Sequence, residues 1–279
     1  MKAFINFFKT NIIFLICLMC LSGCSLNGNE KEAVLKVGME CSYAPFNWIQ
    51  PNANHGAVEV SPGWYACGYD VYMAKLIAQN MGRKLKIVKI DWDGLLPALT
   101  SGKIDAIIAG MSATEARRQS MDFTDNYYNS DIVIVVKKDS KYSGAKSLAD
   151  FKGARVTGQL STVHYDLFID QIPGVEKQAA MEDFSAMVSA VNAGKIDGYV
   201  SERPSAMVAA YTNPNLKYIE FEKGKGFEFS QDEVSIAIGL RKGAPIKDEI
   251  NIALRQIDEE TRKQLMEEAV EHQPASAIG

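Results

Sequence analysis

Two strand ends carry side chains that could contact a bound molecule. The apolar run Ala106–Gly110 ends in Ala109 and Gly110, and the run Gly198–Glu202 ends in a serine and the carboxylate of Glu202. Small or polar residues at the end of an apolar strand favour a position that faces something other than a protein core. Ligands of open α/β sheets bind at the carboxyl ends of strands, so these two ends are candidate parts of one site.

Both strand ends belong to a repeat within the chain. The segment Asp183–Glu202 matches the segment that begins at Asp91, without a gap and at an offset of 92 residues, and both copies contain Gly-Lys-Ile-Asp (102–105 and 194–197). Each copy predicts an amphipathic helix, a glycine that ends it and a short apolar strand. The repeat therefore indicates two similar α/β units with a cleft between them, and chance identity is the alternative.

The chain around the repeat alternates predicted strands and helices. This βαβ order implies mainly parallel sheets. The β-branched runs Ile132–Val136 and Val234–Leu240 suit strands that connect two lobes. We therefore predict two α/β lobes joined by a two-strand hinge, with residues 34–132 and 236–279 in the first lobe and residues 133–235 in the second.

The N-terminus carries the features of a bacterial export signal. Residues 1–23 combine two lysines with the apolar run Ile12–Leu21, which is too short to span a bilayer comfortably. The sequence Leu-Ser-Gly-Cys that ends at Cys24 resembles a lipobox, which predicts cleavage before Cys24 and attachment of diacylglycerol to its thiol. Residues 24–33 would then anchor and tether the protein at the outer face of the cytoplasmic membrane. An uncleaved membrane anchor is the alternative.

The charge of the chain bears on its partners. The formal net charge is −4, and it becomes −6 once residues 1–23 are removed, because that segment carries two lysines and no acidic residue. A nucleic-acid partner needs a basic footprint, so this class of partner is excluded.

The cysteines and histidines do not predict a metal site. Cys41 and Cys67 are the cysteines that remain beyond Cys24, and in an oxidising compartment they form either one disulfide or two free thiols. The three histidines show no ligand spacing with either cysteine, so we expect neither a zinc site nor a cofactor. They are His55, His164 and His272.

Several stretches of the sequence resemble the polar amino-acid binding proteins of ABC importers. They are Glu40–Phe46 (ECSYAPF), Gly68–Val71 (GYDV), Asp91–Arg118 and Met121–Thr124 (MDFT). The resemblance extends from about Val34 to Glu271. It implies a periplasmic-binding-protein fold, whose two lobes close on one amino acid, and a monomeric receptor that delivers this ligand to a permease in the cytoplasmic membrane.

The resemblance also implies which residues hold the α-carboxylate and the α-ammonium of the ligand. Arg117 suits the carboxylate because a planar guanidinium can bind it bidentately. Ser112 is expected to add its backbone N–H and hydroxyl, at the start of a helix whose N-terminus favours an anion. Glu202 matches the acid that pairs with the ammonium, and the backbone carbonyls of Ala109 and Gly110 are expected to share it.

The side chain of the ligand is expected to lie among aromatic and acidic residues. Tyr43 and Trp92 match two aromatic residues that sandwich it in the family. Phe184, the counterpart of Trp92 in the repeat, is expected in the core. Glu40 matches an acid that faces the distal end of cationic ligands, so arginine or lysine is the first choice. Glutamine, histidine and ornithine remain open.

The second lobe is expected to contribute one loop to the site. Gln159 is expected to line the side-chain pocket, with His164 at its rim. Thr162 is expected to donate to the ligand carboxylate. Ser161 stands where relatives usually have glycine.

Three classes of function are compatible with such a fold. A transport receptor binds its ligand, closes and docks on a permease. A dehydratase-like enzyme would need a positioned general acid, and the sequence singles out none beyond the residues that binding already explains. A sensor would need a membrane-spanning helix with a cytoplasmic output. The sequence favours the receptor.

Overall fold

The computed structural model describes residues 33–273. The predicted signal peptide (1–23), the predicted lipidation site Cys24 and the predicted tether up to residue 32 lie outside the described residues. Within residues 33–273, no helix combines the length and the hydropathy needed to cross a bilayer.

The described chain alternates strands and helices. The strands are β1 (Val34–Met39), β2 (Ser42–Tyr43), β3 (Asn47–Gln50), β4 (Val58–Ser61), β5 (Trp64–Cys67), β6 (Lys84–Lys89), β7 (Ala106–Ile107), β8 (Asp122–Asn129), β9 (Ile132–Lys137), β10 (Arg155–Thr157), β11 (Glu176–Lys177), β12 (Gly198–Glu202), β13 (Leu216–Ile219) and β14 (Ser235–Leu240). The α-helices are α1 (Tyr69–Asn80), α2 (Leu95–Thr100), α3 (Glu115–Arg118), α4 (Phe184–Asn192), α5 (Arg203–Thr212), α6 (Gln231–Val234), α7 (Ile246–Arg255) and α8 (Glu259–His272).

Two five-stranded sheets form the centres of two lobes. The first sheet has the strand order β6-β1-β7-β14-β8, and the second has the order β11-β10-β12-β9-β13. In the first sheet, β1 is parallel to β6 and β7, whereas β14 is antiparallel to β7 and β8. In the second, β10 is parallel to β11 and β12, whereas β9 is antiparallel to β12 and β13. The two-lobe α/β fold is confirmed.

The prediction of mainly parallel sheets is wrong, because each sheet is half antiparallel. The antiparallel strands are those next to the two passages of the chain between the lobes. The chain leaves the first sheet after β8 and enters the second in β9, and it returns through α6 into β14. A strand that arrives from the other lobe has no crossover helix of its own, so it need not run parallel to its neighbours.

The two passages between the lobes lie side by side. The backbone N–H of Ser130, between β8 and β9, donates to the carbonyl of Val234 at the end of α6 (3.1 Å). The N–H of Arg203, at the start of α5, donates to the carbonyl of Asp131 (2.9 Å). The first hydrogen bond joins the two connections, and the second attaches the outgoing connection to the second lobe.

The repeat folds into one unit in each lobe. Helices α2 and α4 are followed by glycines with left-handed backbones, Gly102 (φ 77°) and Gly194 (φ 69°). The aspartates of the two Gly-Lys-Ile-Asp motifs then make the same contact. Asp105 Oδ2 accepts the N–H of Lys36 in the first sheet (2.9 Å), and Asp197 Oδ2 accepts the N–H of Arg155 in the second (2.8 Å). The repeat is therefore structural and not a chance identity.

A third, antiparallel sheet belongs to the segment that follows β1. Its strand order is β2-β3-β5-β4. Cys41 and Cys67 are both buried and both free, so the disulfide alternative does not hold. The thiol of Cys67 lies 3.4 Å from the hydroxyl of Tyr72. Burial raises the pKa of both thiols, which keeps them protonated.

Candidate functional site

The predicted ligand-binding residues lie where strands of the two sheets end. In the first lobe, Glu40 follows β1, Trp92 follows β6, and Ala109 and Gly110 follow β7. In the second lobe, Gln159 follows β10 and Glu202 ends β12. Because β1, β6, β7, β10 and β12 each have a parallel neighbour, these ends face the cleft as a doubly wound fold requires.

Arg117 is half-buried and keeps most of its hydrogen-bonding capacity. Nη1 donates to the carbonyl of Ser112 (2.9 Å), and Nη2 donates to the carbonyl of Ser161 in the other lobe (3.2 Å). The guanidinium carbon lies 5.2 Å from the ring centroid of Trp92. Burial lowers the pKa of Arg117 to about 10, so the side chain stays charged at neutral pH. Within residues 33–273 it forms no ion pair, which leaves its charge available to an anion.

The prediction that Ser112 starts a helix is wrong. The helix α3 begins three residues later and is capped by Thr114, whose hydroxyl accepts the N–H of Arg117 (3.3 Å). Ser112 is buried and pairs with Ile236 of β14 in an isolated bridge. Its carbonyl orients the guanidinium of Arg117, which is a contact that the sequence did not predict.

Ser161 supplies a contact between the lobes through its backbone. Its carbonyl accepts hydrogen bonds from Nε1 of Trp92 (3.1 Å) and from Arg117, both in the first lobe. Ser161 has φ of 58°, a left-handed conformation that glycine adopts without a steric cost. The backbone at this position therefore has a conformation that favours glycine, although the residue is serine.

Replacing Ser161 tests this backbone conformation. We expect Ser161→Gly to be more stable than Ser161→Ala by about 1 kcal/mol, because the left-handed conformation costs an L-residue about 1–2 kcal/mol and glycine loses part of that gain through its freer unfolded chain. Urea unfolding of the two variants measures the difference. An alanine variant as stable as the glycine variant would show that the backbone at this position carries no strain.

Glu202 is buried at the end of β12 and contacts the other lobe. The hydroxyl of Tyr43 donates to Oε2 of Glu202. Burial, aided by the charge of Glu40, raises the pKa of Glu202 to about 8. A buried carboxylate of this kind is stabilised when a cation arrives.

His164 lies beside Glu202 and not at the rim of the pocket. It is 4% exposed, and its Nε2 lies 2.9 Å from Oε1 of Glu202 without the alignment of a hydrogen bond. Burial and the charge of Arg117 lower the pKa of His164 to about 3, so the imidazole is neutral. The prediction of a rim position is wrong because the π-helical turn His164–Phe168 folds this side chain inward.

The aromatic residues pair differently from the prediction. Tyr43 stacks on Phe184 of the second lobe, with ring centroids 4.5 Å apart, and on Phe46 at 5.0 Å. Trp92 contacts Arg117 instead. Phe184 is buried, as expected, but it also reaches the cleft, which the sequence analysis missed. The alignment of Phe184 with Trp92 in the repeat was the sequence signal that could have predicted this position.

A buried network supports the end of β7. Gly110 has φ of 59°, and a Cβ atom there would lie 2.8 Å from Cε1 of Tyr43. The N–H of Gly110 donates to the hydroxyl of Tyr127 (3.2 Å), which in turn donates to Oδ1 of Asp70 (2.6 Å). Burial raises the pKa of Asp70 to about 6. Ala109 is fully buried beside this network.

Glu40 and Gln159 meet across the cleft. Nε2 of Gln159 donates to Oε2 of Glu40 (3.0 Å) and to the carbonyl of Glu182 (3.0 Å). Oε1 of Glu40 has no hydrogen-bond partner among the described residues, although the side chain is 4% exposed. Burial raises the pKa of Glu40 to about 8. The hydroxyl of Thr162 donates to the main-chain carbonyl of Gln159 (2.7 Å), so in this arrangement it stabilises the loop backbone at Gln159.

Of the two cavities described next, the smaller one lies beside predicted ligand-binding residues. A cavity of about 260 Å³ adjoins Glu40 and Trp92. A larger groove, of about 1130 Å³, lies between α5 and α8 and includes none of the predicted ligand-binding residues. Residues 33–273 contain no group of three or more histidine, cysteine, aspartate or glutamate side chains that could hold a metal ion.

Comparison with known proteins identifies the class. The chain belongs to the bacterial extracellular solute-binding proteins, family 3, which match residues 35–271. The prediction of a binding protein rather than an enzyme is confirmed by this membership.

Relatives and solved structures give particular examples of the class. A "Probable histidine-binding protein" of Campylobacter jejuni is 32% identical, over 84% of this chain and 87% of the relative. The arginine-binding extracellular protein ArtP of Bacillus subtilis is 29% identical, over 85% of this chain and 86% of the relative. The structure of an amino acid ABC transporter substrate-binding protein from Streptococcus pneumoniae, bound to L-arginine, superposes with a TM-score of 0.73. The two chains are 27% identical, and the match covers 86% of this chain and 94% of the Streptococcus pneumoniae chain.

Proposed function

We propose that this protein is the extracytoplasmic receptor of an amino-acid ABC importer and that it binds a cationic L-amino acid, arginine or lysine. Arg117 and Ser112 hold the α-carboxylate. Glu202 and the carbonyls of Ala109 and Gly110 hold the α-ammonium. Glu40 faces the cationic end of the side chain.

The proposal of a cationic ligand rests on the burial and the hydrogen bonding of the Glu40 side chain. Its carboxyl group is 4% exposed, yet one oxygen has no partner among residues 33–273 and lies against a cavity. A buried polar group without a partner costs free energy. A guanidinium or ammonium in the cavity would remove this cost, because it supplies both hydrogen bonds and the opposite charge.

Closure follows from the distribution of these groups between the lobes. Arg117 and Glu40 belong to the first lobe, whereas Glu202 and Gln159 belong to the second. A ligand that touches all of them favours the closed form by its difference in affinity for the two forms. We propose the lobe boundaries 34–132 plus 236–279 and 133–235, a monomeric receptor, and delivery to a permease in the cytoplasmic membrane.

A glutamine- or histidine-binding receptor is the second candidate. The Campylobacter jejuni relative supports histidine by its name, and the pair Ala109-Gly110 supports glutamine by its resemblance to glutamine-binding relatives. Glutamine or a neutral histidine would offer Glu40 no positive charge that favours its ionised form. A dehydratase-like enzyme on this fold is the least supported reading.

A thermal unfolding screen tests the proposed function. The protein starting at Ser25 is unfolded and refolded to remove carried-over ligand, and its midpoint is measured with each common amino acid, ornithine and citrulline. A ligand that binds only the folded protein raises the midpoint. We expect shifts with arginine or lysine and none with glutamate or leucine. A shift with glutamine alone would overturn the cationic ligand, and no shift at all would overturn the receptor.

The affinity for arginine should depend on pH. Glu40 and Glu202 have pKa values raised to about 8 in the free closed protein, so both are mostly protonated at pH 7. A cationic ligand favours their ionised forms, so the complex binds fewer protons than the free protein and binding releases protons. Arginine affinity should therefore rise between about pH 6 and pH 8 and level off above. Calorimetry in two buffers of different ionisation enthalpy measures the release, and a pH-independent affinity would contradict it.

We also propose that the protein is a lipoprotein anchored through Cys24. The support is the Leu-Ser-Gly-Cys sequence behind the apolar run Ile12–Leu21. In a bacterium that exports the chain, Cys24→Ser should move the protein from the membrane fraction to the medium or periplasm. Retention of the variant in the membrane would instead support an uncleaved anchor.

A further inference from the structure

The cavity beside Glu40 is lined at its outer end by carboxylates from both lobes. Asp91 and Asp93 flank Trp92 in the first lobe, and Glu182 and Asp183 precede α4 in the second. We call these four residues, with the cavity of about 260 Å³ that they line, the acidic pocket. Asp91 and Asp183 occupy corresponding positions of the repeat, and both line this one cavity.

The negative charge of the acidic pocket is not compensated within the described chain. None of its four carboxylates forms a salt bridge with residues 33–273. Asp183 uses Oδ1 to cap α4, accepting the N–H of Ala186 (2.8 Å). Asp91, Asp93 and Glu182 are exposed. Lobe closure thus gathers like charges, which opposes closure unless a cation joins them.

A buried carboxyl group at the inner end of the acidic pocket is a second feature that points to a ligand. Glu40 lines it, is 4% exposed and has an oxygen without a partner in the described chain. Besides burial, the charges of Asp183 and Asp91 raise the pKa of Glu40, so the inner and outer acids are electrostatically coupled. Trp92 and the exposed side chain of Leu160 provide apolar walls between them.

We propose that the acidic pocket is an outer subsite for a cationic group carried on a side chain longer than that of arginine. The proposal rests on the proposed function, since the α-groups of the ligand must sit at Arg117 and Glu202. The natural ligand class is then a basic amino acid extended at its distal nitrogen, such as a lysine acylated on Nε by a second amino acid. The stem lies along Trp92 and passes Glu40, and the terminal ammonium reaches the outer carboxylates.

Size and chemistry agree with this class of ligand. The cavity has room for about eight or nine molecules of water at about 30 Å³ each, which corresponds to an aminoacyl extension and not to a second large residue. No group of three or more acidic, histidine or cysteine side chains in residues 33–273 is arranged to hold a metal ion. The charge that fits is therefore an organic cation.

Two synthetic lysines test the outer subsite. Nε-glycyl-L-lysine and Nε-acetyl-L-lysine have nearly the same shape and differ by one terminal ammonium. At pH 7 and low salt, we expect calorimetry to show that the wild-type protein binds the glycyl compound at least about tenfold more tightly. Equal affinities for the two compounds would overturn the proposal.

Isosteric variants assign the effect to the pocket. Asp93→Asn combined with Glu182→Gln should reduce the preference for the glycyl compound to below about threefold, with little change in arginine affinity. Asp139→Asn combined with Glu228→Gln removes two exposed acids elsewhere and should leave the preference intact. Loss of the preference in both double variants would assign it to net charge and overturn the subsite. Arginine serves as the reference, because failure to bind arginine would count against the proposed function instead.

Discussion

Arg117→Lys is expected to weaken amino-acid binding by about 2 kcal/mol or more, which is about 30-fold in Kd. The substitution keeps the positive charge but replaces a planar fork of donors with a single ammonium. In the structure the fork is already held at two points, by the carbonyls of Ser112 and Ser161, and from one side by the ring of Trp92. Lysine cannot reproduce these contacts and still bind a carboxylate through two parallel hydrogen bonds.

Arg118→Lys is the matched control for this prediction. Arg118 is the next residue of the same helix, and its guanidinium lies over Phe123 (5.4 Å) and 4.0 Å from Asp232, neither of which is a predicted ligand-binding residue. We expect its affinity to stay within about twofold of the wild type. If Arg117→Lys bound the ligand as tightly as this control, Arg117 would not belong to the site. Calorimetry with arginine and with glutamine measures both variants.

Glu40→Gln is expected to weaken arginine binding by about 3 kcal/mol, or more than about 100-fold, and to change glutamine binding little. Removing one partner of a buried charge pair leaves the cation of the ligand without its counter-ion. The amide oxygen of glutamine can still accept the hydrogen bond from Gln159, so the contact between the lobes survives. The fold should be intact, because the pKa of Glu40 is raised to about 8 and the free protein already holds this side chain mostly neutral.

The comparison between ligands decides this second prediction. A cationic and a neutral amino acid share the contacts to Arg117 and Glu202, so only their difference reports on Glu40. Glu59→Gln, at an exposed acid of β4, serves as a control for the change in net charge. Equal losses for arginine and glutamine in Glu40→Gln would refute a cation-specific role and leave Glu40 as a structural residue.

The sequence predicts the architecture well where a local signal repeats. The two copies of Gly-Lys-Ile-Asp predict a helix, a left-handed glycine and a strand, and the structure has this unit in each lobe. The signal is strong because glycine fits the left-handed turn and because each aspartate accepts a backbone N–H from the neighbouring strand.

Local sequence patterns do not predict the strand β8 or the mixed strand directions of the two sheets. The sequence of β8, DFTDNYYN, is largely polar and carries few β-branched residues. Its strand conformation comes from pairing with β14, which lies about a hundred residues later in the chain. The direction of β9 and β14 is likewise set by the passage between the lobes, and no pattern within either strand encodes it.

The candidate site, like the fold, is only partly predictable from local sequence. The positions of Glu40, Gln159 and Glu202 at strand ends follow from the alternation of strands and helices, whereas Arg117 lies in the short helix α3. The pairing of their neighbours does not follow from it. Phe184 rather than Trp92 covers Tyr43, and this contact crosses the cleft, whereas His164 turns inward against Glu202 of its own lobe. Contacts between lobes depend on how the two units meet, which local sequence does not record.

The carbonyl of Ser161 has a consequence for how such a receptor can change its ligand. A main-chain oxygen is supplied by every residue type, so no single side-chain replacement deletes the acceptor that Trp92 and Arg117 share. The groups proposed to discriminate between ligands, Glu40 and Gln159, are side chains and can be exchanged one at a time. Recognition can therefore diverge in evolution, or be redesigned, while the contact that draws the lobes together is inherited unchanged.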